Sequence, residues 1–308
     1  MQVIRDLAAL RAATAGLRAN GHRLALVPTM GALHRGHLSL VAEARRHAGA
    51  VATSIFVNPL QFGPNEDLAR YPRDEAGDLE KLRGAGCDLV WMPTVEVMYP
   101  PGAATVIEVG GPSEGFEGAA RPGHFRGVAT VCTKLFQQTG ADAAVFGEKD
   151  WQQLQVVRRL VADLDMPIRI VGHPTIREED GLAFSSRNAR LSPEERALAP
   201  LLAREMREAI SAMEGGAAPE PALDAARARL RGVGFVPDYL ALVEPETMRS
   251  WREGAPGEAR LLAAARLGDV RLLDNMPARL PEGRTSAPES SALASPPGPS
   301  ASPRPPAG

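Results

Sequence analysis

The stretch Pro28-Thr29-Met30-Gly31-Ala32-Leu33-His34-Arg35-Gly36-His37 constrains this chain more than any other. The apolar run before it, Leu24-Ala25-Leu26-Val27, has the length of a buried strand. After it, Leu38, Leu40, Val41 and Ala44 recur at helical spacing, so a helix is predicted to start near Gly36. The reversal between strand and helix is therefore built from Gly31 and Gly36, with His34 and His37 at the helix start. A helix start offers unpaired N–H groups and a partial positive charge, which together favour phosphate. Imidazoles placed there donate to phosphate oxygens as negative charge builds on them. Two plainer roles compete. One is a metal pair, although no third His, Cys or acidic ligand stands at a recognisable spacing; the other is simple helix capping.

Further strands are predicted over 50–57, 88–92, 143–146 and 168–171, with an edge extension of the sheet at 106–109. Helices are predicted over 5–19, 74–83, 124–138 and 152–163. Strands alternating with helices imply an α/β fold with a doubly wound, Rossmann-like parallel sheet. Such sheets bind ligands beyond the carboxyl ends of their strands. His34, His37, Asn58, Gln61, Gly147, Lys149 and Asp150 all follow a predicted strand end, so they are expected on one rim.

Beyond residue 175 the pattern changes. Ser192-Pro193-Glu194-Glu195 is a capping box that opens a helix expected to reach about Met213. A shorter helix over 222–230 precedes strand-like runs at 239–243, 260–266 and 270–273, expected to form a short antiparallel sheet. The expected division is a Rossmann-like ligand-binding domain over 1–175, a smaller α+β lid over 176–280, and a disordered Pro-, Ser- and Ala-rich tail over 281–308.

A net charge of −2 over 308 residues makes no case for nucleic acid or an anionic membrane as partner. No apolar run is long enough to span a bilayer, and residues 1–6 show no basic stretch leading into a long apolar core. Cys87 and Cys132 lie far apart in apolar contexts and are expected as reduced, buried thiols. A soluble cytoplasmic protein is the expectation. Lys81, Lys134 and Lys149 are the only lysines in an arginine-rich chain, which draws attention to Lys149.

His-x-Gly-His after a first strand resembles the nucleotidyltransferase superfamily that uses ATP to adenylate a small substrate. The longer string Pro-Thr-Met-Gly-x-Leu-His-x-Gly-His is similar to one family within it, the pantoate–β-alanine ligases. Three further blocks agree in order: Val57-Asn58-Pro59-Leu60-Gln61-Phe62, Gly147-Glu148-Lys149-Asp150-Trp151-Gln152-Gln153, and Phe184-Ser185-Ser186-Arg187-Asn188. Arg121-Pro122-Gly123-His124-Phe125-Arg126-Gly127-Val128 matches as well, with His124 either in the catalytic site or structural. Phe184 stands where methionine is usual, and Trp151 where tyrosine is.

The resemblance implies ATP-dependent joining of pantoate to β-alanine through an acyl-adenylate, with Mg2+ on the nucleotide and no all-protein metal cage. It implies ATP contacts from Met30, Gly31, His34 and His37, from Gly147, Lys149 and Asp150, and from Ile176, Ser185, Ser186 and Arg187. His34, His37, Lys149 and Arg187 would carry catalysis. Gln61, Gln153 and Asn58 would hold pantoate and β-alanine, neutral amides orienting a carboxylate without the ion pair that blunts its nucleophilicity. Hinged closure and a homodimer are further implications. Another His-x-Gly-His nucleotidyltransferase, the first alternative, would not be expected to share the Gln61 and Gln153 blocks; a nucleotide-binding regulator without turnover is the second.

Overall fold

The computed structural model describes residues 1–64, 66, 68–252 and 254–281, so the expected tail lies outside the described residues from position 282 onward. The first lobe runs β1 (Gln2–Ile4), α1 (Leu7–Ala19), β2 (Leu24–Thr29), α2 (Arg35–His47), β3 (Ala50–Ile55), α3 (Glu75–Gly84) and β4 (Leu89–Trp91). It continues with α4 (Val95–Met98), α5 (Phe116–Ala120), α6 (His124–Thr139), β5 (Ala143–Gly147), α7 (Trp151–Asp163) and β6 (Arg169–His173). Local chemistry sets several of these boundaries. Asp6 caps α1 by accepting from the Ala9 N–H, and Asp74 caps α3 by accepting from the Gly77 N–H.

The six strands form one parallel sheet in the order β1-β4-β3-β2-β5-β6. Alternation along each strand feeds two cores. Leu24 and Leu26 of β2, Leu89 and Trp91 of β4, and Ala144 and Phe146 of β5 pack on the side of α1, α6 and α7. Ala25, Val27, Val90, Ala143 and Val145 pack on the other side, against Leu40, Val41 and Ala44 of α2 and Leu82 of α3. A sheet covered on both faces must be apolar on both, which is why its strands read as continuous apolar runs.

The sheet corrects one expectation. The edge position goes to β1, a three-residue strand in parallel register with β4, and not to 106–109. That segment is irregular because it lies along α6: the Ile107 N–H donates to Thr130 Oγ1, and Val109 sinks into the core.

The second lobe comprises α8 (Pro193–Leu198), α9 (Leu201–Glu214), α10 (Pro219–Gly232), β7 (Phe235–Val243), β8 (Gly257–Leu267) and β9 (Val270–Leu280). The helix expected to run unbroken to Met213 is divided at Ala199–Pro200, since proline supplies no N–H to the ladder and its ring crowds the carbonyl four residues back. The expected antiparallel sheet forms, in the order β7-β8-β9 and with longer strands. Leu261, Ala263 and Ala265 pack towards α9 and α10, while Leu262, with Tyr239 and Val243, packs into the first lobe's core. The small sheet is thereby buried on both faces.

Polar contacts reinforce that junction. Glu117 of α5 is buried and receives Arg271 Nη1 at 2.8 Å, Arg271 Nη2 at 2.6 Å and the Tyr239 hydroxyl at 2.8 Å. Trp151 Nε1 donates to the Pro245 carbonyl at 2.7 Å. No helix among the described residues is long and apolar enough to cross a membrane. Removing one partner of the Glu117–Arg271 pair strands a charge at the junction. We expect Arg271→Ala to destabilise the fold by about 3–5 kcal/mol, measured by urea unfolding.

Candidate active site

Segments from the ends of β2, β3, β5 and β6 enclose a cavity of about 220 Å³. Met30, His34 and His37 reach it from the β2–α2 turn, and Asn58 and Gln61 from the short 3-10 turn after β3. Gly147, Lys149 and Asp150 come from the turn after β5, with Gln153 from the start of α7. Ile176, Ser185, Ser186 and Arg187 come from the strap that leads into the second lobe. Every site residue expected from the sequence lies on this wall except Gly31.

Gly31 shapes the turn from behind. Its φ is +84°, and a Cβ there would stand 3.1 Å from Asp78 Oδ2 and 3.2 Å from Ile55 Cγ2. Asp78, buried on α3, accepts from the Ala32 N–H at 2.8 Å and the Leu33 N–H at 2.7 Å. The polar composition of α3 gives no hint of this inward carboxylate, and sequence reasoning missed it.

His34 stands at the N-cap position of α2, and its backbone N–H donates to His37 Nδ1 at 3.4 Å, so the His37 proton resides on Nε2. The two rings are 4.0 Å apart at 32°, and Phe184 stacks on His34 at 5.9 Å and 20°. Phe184, a departure from the family pattern, is therefore part of the wall. Burial, then the Lys149 charge, lowers the His34 pKa to about 4; burial, then His34, lowers that of His37 to about 3. Both imidazoles are neutral donors at pH 7. Lys149 Nζ sits 3.6 Å from Asp150 Oδ1 at the rim.

A separate chain of bonds orients Gln61. The Tyr99 hydroxyl donates to Asn58 Oδ1 at 2.8 Å, and Asn58 Nδ2 donates to Gln61 Oε1 at 3.0 Å and to the Gly127 carbonyl at 3.1 Å. Gln61 Nε2 is left facing Met30 Sδ at 3.2 Å, a weak acceptor that a ligand carboxylate readily replaces. The Gln61 carbonyl accepts from His124 Nδ1 at 2.9 Å, and Arg121 Nη1 donates to His124 Nε2 at 3.1 Å. Arg121 also grips Glu66 through two bonds, at 2.9 and 2.6 Å. Burial, then Arg121, lowers the His124 pKa to about 4, so its ring is a neutral strut under Gln61. An apolar part of the wall is formed by Val128, Val131, Cys132 and Leu135 of α6 with Phe146. Cys87 and Cys132 are free and buried, and burial pushes the Cys132 thiol up to about 12.

The helix α6 touches the Gln61 turn directly: a Cβ on Gly127 would fall 2.3 Å from the Leu60 carbonyl oxygen and 2.5 Å from the Gln61 nitrogen. Gly127→Ala should therefore cost about 1–3 kcal/mol in urea unfolding, as overpacking does. A pH dependence follows from the histidines. Their folded values lie below the ordinary 6.5, so the stabilisation from holding them neutral is complete above pH 6.5. It is lost as pH falls from there towards 3, a range in which the unfolded chain binds protons the folded one refuses. Urea midpoints should drop between pH 7 and pH 5, and a His37→Gln, His124→Gln variant should show a smaller drop.

The chain matches the family model described as pantoate-beta-alanine ligase over residues 2–277. It is 58% identical over 277 residues to the pantothenate synthetase of Rhizorhabdus wittichii, covering 90% of this chain and 98% of that protein. Against the pantothenate synthetase of Granulibacter bethesdensis the identity is 57%, covering 90% and 96%. The crystal structure of pantothenate synthetase from Thermus thermophilus superposes with a TM-score of 0.84 at 50% identity, over 90% of this chain and 99% of that one. That of pantoate-beta-alanine ligase from Francisella tularensis, complexed with beta-gamma ATP and beta-alanine, gives 0.75 at 30% identity, over 90% and 97%. The chain belongs to the pantoate–β-alanine ligase family and is a ligase of pantothenate biosynthesis.

Proposed function

We propose that this ligase joins pantoate to β-alanine at the expense of ATP through a pantoyl-adenylate. A pantoate carboxylate oxygen attacks the α-phosphorus of MgATP, and the bond to pyrophosphate breaks. The amine of β-alanine then attacks the acyl carbonyl, the new C–N bond forms, and AMP leaves as the amine loses a proton. Magnesium enters with the nucleotide as part of the substrate, held by phosphate oxygens.

The observation that carries this reading is the composition of one wall: donors and cations for a triphosphate stand beside two amides and an apolar surface for a small branched acid. Carboxylate is a weak nucleophile approaching a phosphorus surrounded by negative charge, so alignment and charge neutralisation must supply the rate. In this reading His34, His37, Lys149, Ser186 and Arg187 neutralise the phosphates, with Met30, Gly147, Asp150, Ile176 and Ser185 contacting the rest of the nucleotide and Gly31 shaping the turn behind them. Neutral imidazoles suit the task, because they donate without repelling Lys149 before the nucleotide arrives. Gln61 and Gln153 orient the pantoate carboxylate, with Asn58 behind Gln61. The Francisella complex with beta-gamma ATP and beta-alanine supports the substrate pair. The lobe boundary near 175, a homodimer and a cytoplasmic setting belong to the same proposal.

Carboxyl-18O pantoate should transfer one label to AMP. Formation of ADP and inorganic phosphate instead would point to an acyl-phosphate and exclude the adenylate. His37→Ala and Lys149→Ala should each lower turnover by a factor of about 100 to 1,000 with the circular dichroism spectrum unchanged. Release of AMP from ATP should require pantoate.

A further inference from the structure

The turn Glu148–Asp150 that carries Lys149 is held from the other lobe. Asn275 of β9, buried at the junction, donates from Nδ2 to the Glu148 carbonyl at 2.9 Å and to the Lys149 carbonyl at 2.7 Å. Those two carbonyls belong to the peptide planes on either side of the Lys149 Cα. Fixing both planes fixes φ and ψ of Lys149, and with them the direction in which its side chain leaves the backbone. The amide itself is locked. Asn275 Oδ1 accepts from Arg260 Nε at 2.7 Å, and the Arg260 guanidinium lies 3.7 Å over the Trp151 ring and donates from Nη2 to Glu148 Oε2 at 3.1 Å. A donor-only guanidinium on one side and acceptor-only carbonyls on the other leave Asn275 one orientation. Its neighbour Asp274 accepts the Asn275 N–H at 2.7 Å and pairs with Arg177 through two bonds, at 2.6 and 2.8 Å, next to the strap that leads to Ser185.

We propose that Asn275, locked by Arg260, is a positioning residue for Lys149, so that the second lobe's sheet sets the aim of the lysine at the nucleotide phosphates. This rests on the phosphate-binding reading of Lys149. Aspartate at 275 would keep the shape and the Arg260 contact but turn an acceptor towards two carbonyl oxygens.

The test is a double-mutant cycle on the full chain, reading the dissociation constant of magnesium α,β-methylene-ATP by calorimetry. Lys149→Ala should weaken binding about tenfold or more, and Asn275→Ala and Asn275→Asp about tenfold each. In the Lys149→Ala background, Asn275→Ala should change the constant by less than about twofold, because the residue acts through the lysine. The KM for pantoate should not move in Asn275→Ala. Full additivity, or an Asn275→Ala constant within about twofold of wild type while Lys149→Ala is weakened, overturns the positioning role alone. Wild-type binding by Lys149→Ala overturns the reading of Lys149 and the positioning role with it. Should Asn275→Ala fail to fold by circular dichroism, Asn275→Ser, which retains a donor, takes its place in the cycle.

Discussion

A single buried carboxylate holds the turn on which the nucleotide side of this site is built. Asp78 takes the N–H groups of Ala32 and Leu33, consecutive donors that would otherwise be orphaned beneath the loop. The loop needs such an anchor because Gly31 and Ala32 both adopt positive φ, at 84° and 51°, and an alanine in that region carries a steric cost. With the anchor in place, the chain leaves β2, doubles back and enters α2 with the His34 and His37 rings in contact. Lys81, 3.7 Å from Asp78, tempers the buried charge. The histidines thus inherit their geometry from a residue on a different helix.

The acid-binding side follows the same logic with neutral groups. Tyr99, Asn58 and Gln61 form a one-way line of donors, and His124 supports the Gln61 carbonyl from below. The Gly127 carbonyl, which can only accept, fixes the Asn58 amide and through it the Gln61 amide. The cavity therefore has its amides preset in the free protein, and little side-chain freedom remains to be lost when a ligand arrives.

Much of this was legible in the primary structure, and the reason is local. The blocks around His34, Gln61 and Lys149 each combine an apolar strand with a glycine or proline at its end, so their place on the sheet's rim could be read before any contact was known. The element β1 could not, because three residues carry no periodicity and gain their identity only from register with Leu89–Trp91. Pro200 marks the break between α8 and α9 in its own letter, but the strong capping box at Ser192 points to a longer helix. The run 106–109 looks like a strand because its apolar residues serve α6. Asp78, Tyr99 and Asn275 act over long sequence separations, and nothing near them in the chain announces their partners.

The small antiparallel sheet, covered on both faces, has a consequence for how the family can be recombined. Its outer surface is closed by its own helices, but its inner surface is completed by Leu262, Tyr239 and Val243 lying in the core of the first lobe. A fragment cut out along the chain boundary would carry that inner surface into water. Grafts between homologues must accordingly exchange the two contacting surfaces together, since the C-terminal portion is half of a shared interior and not a detachable module.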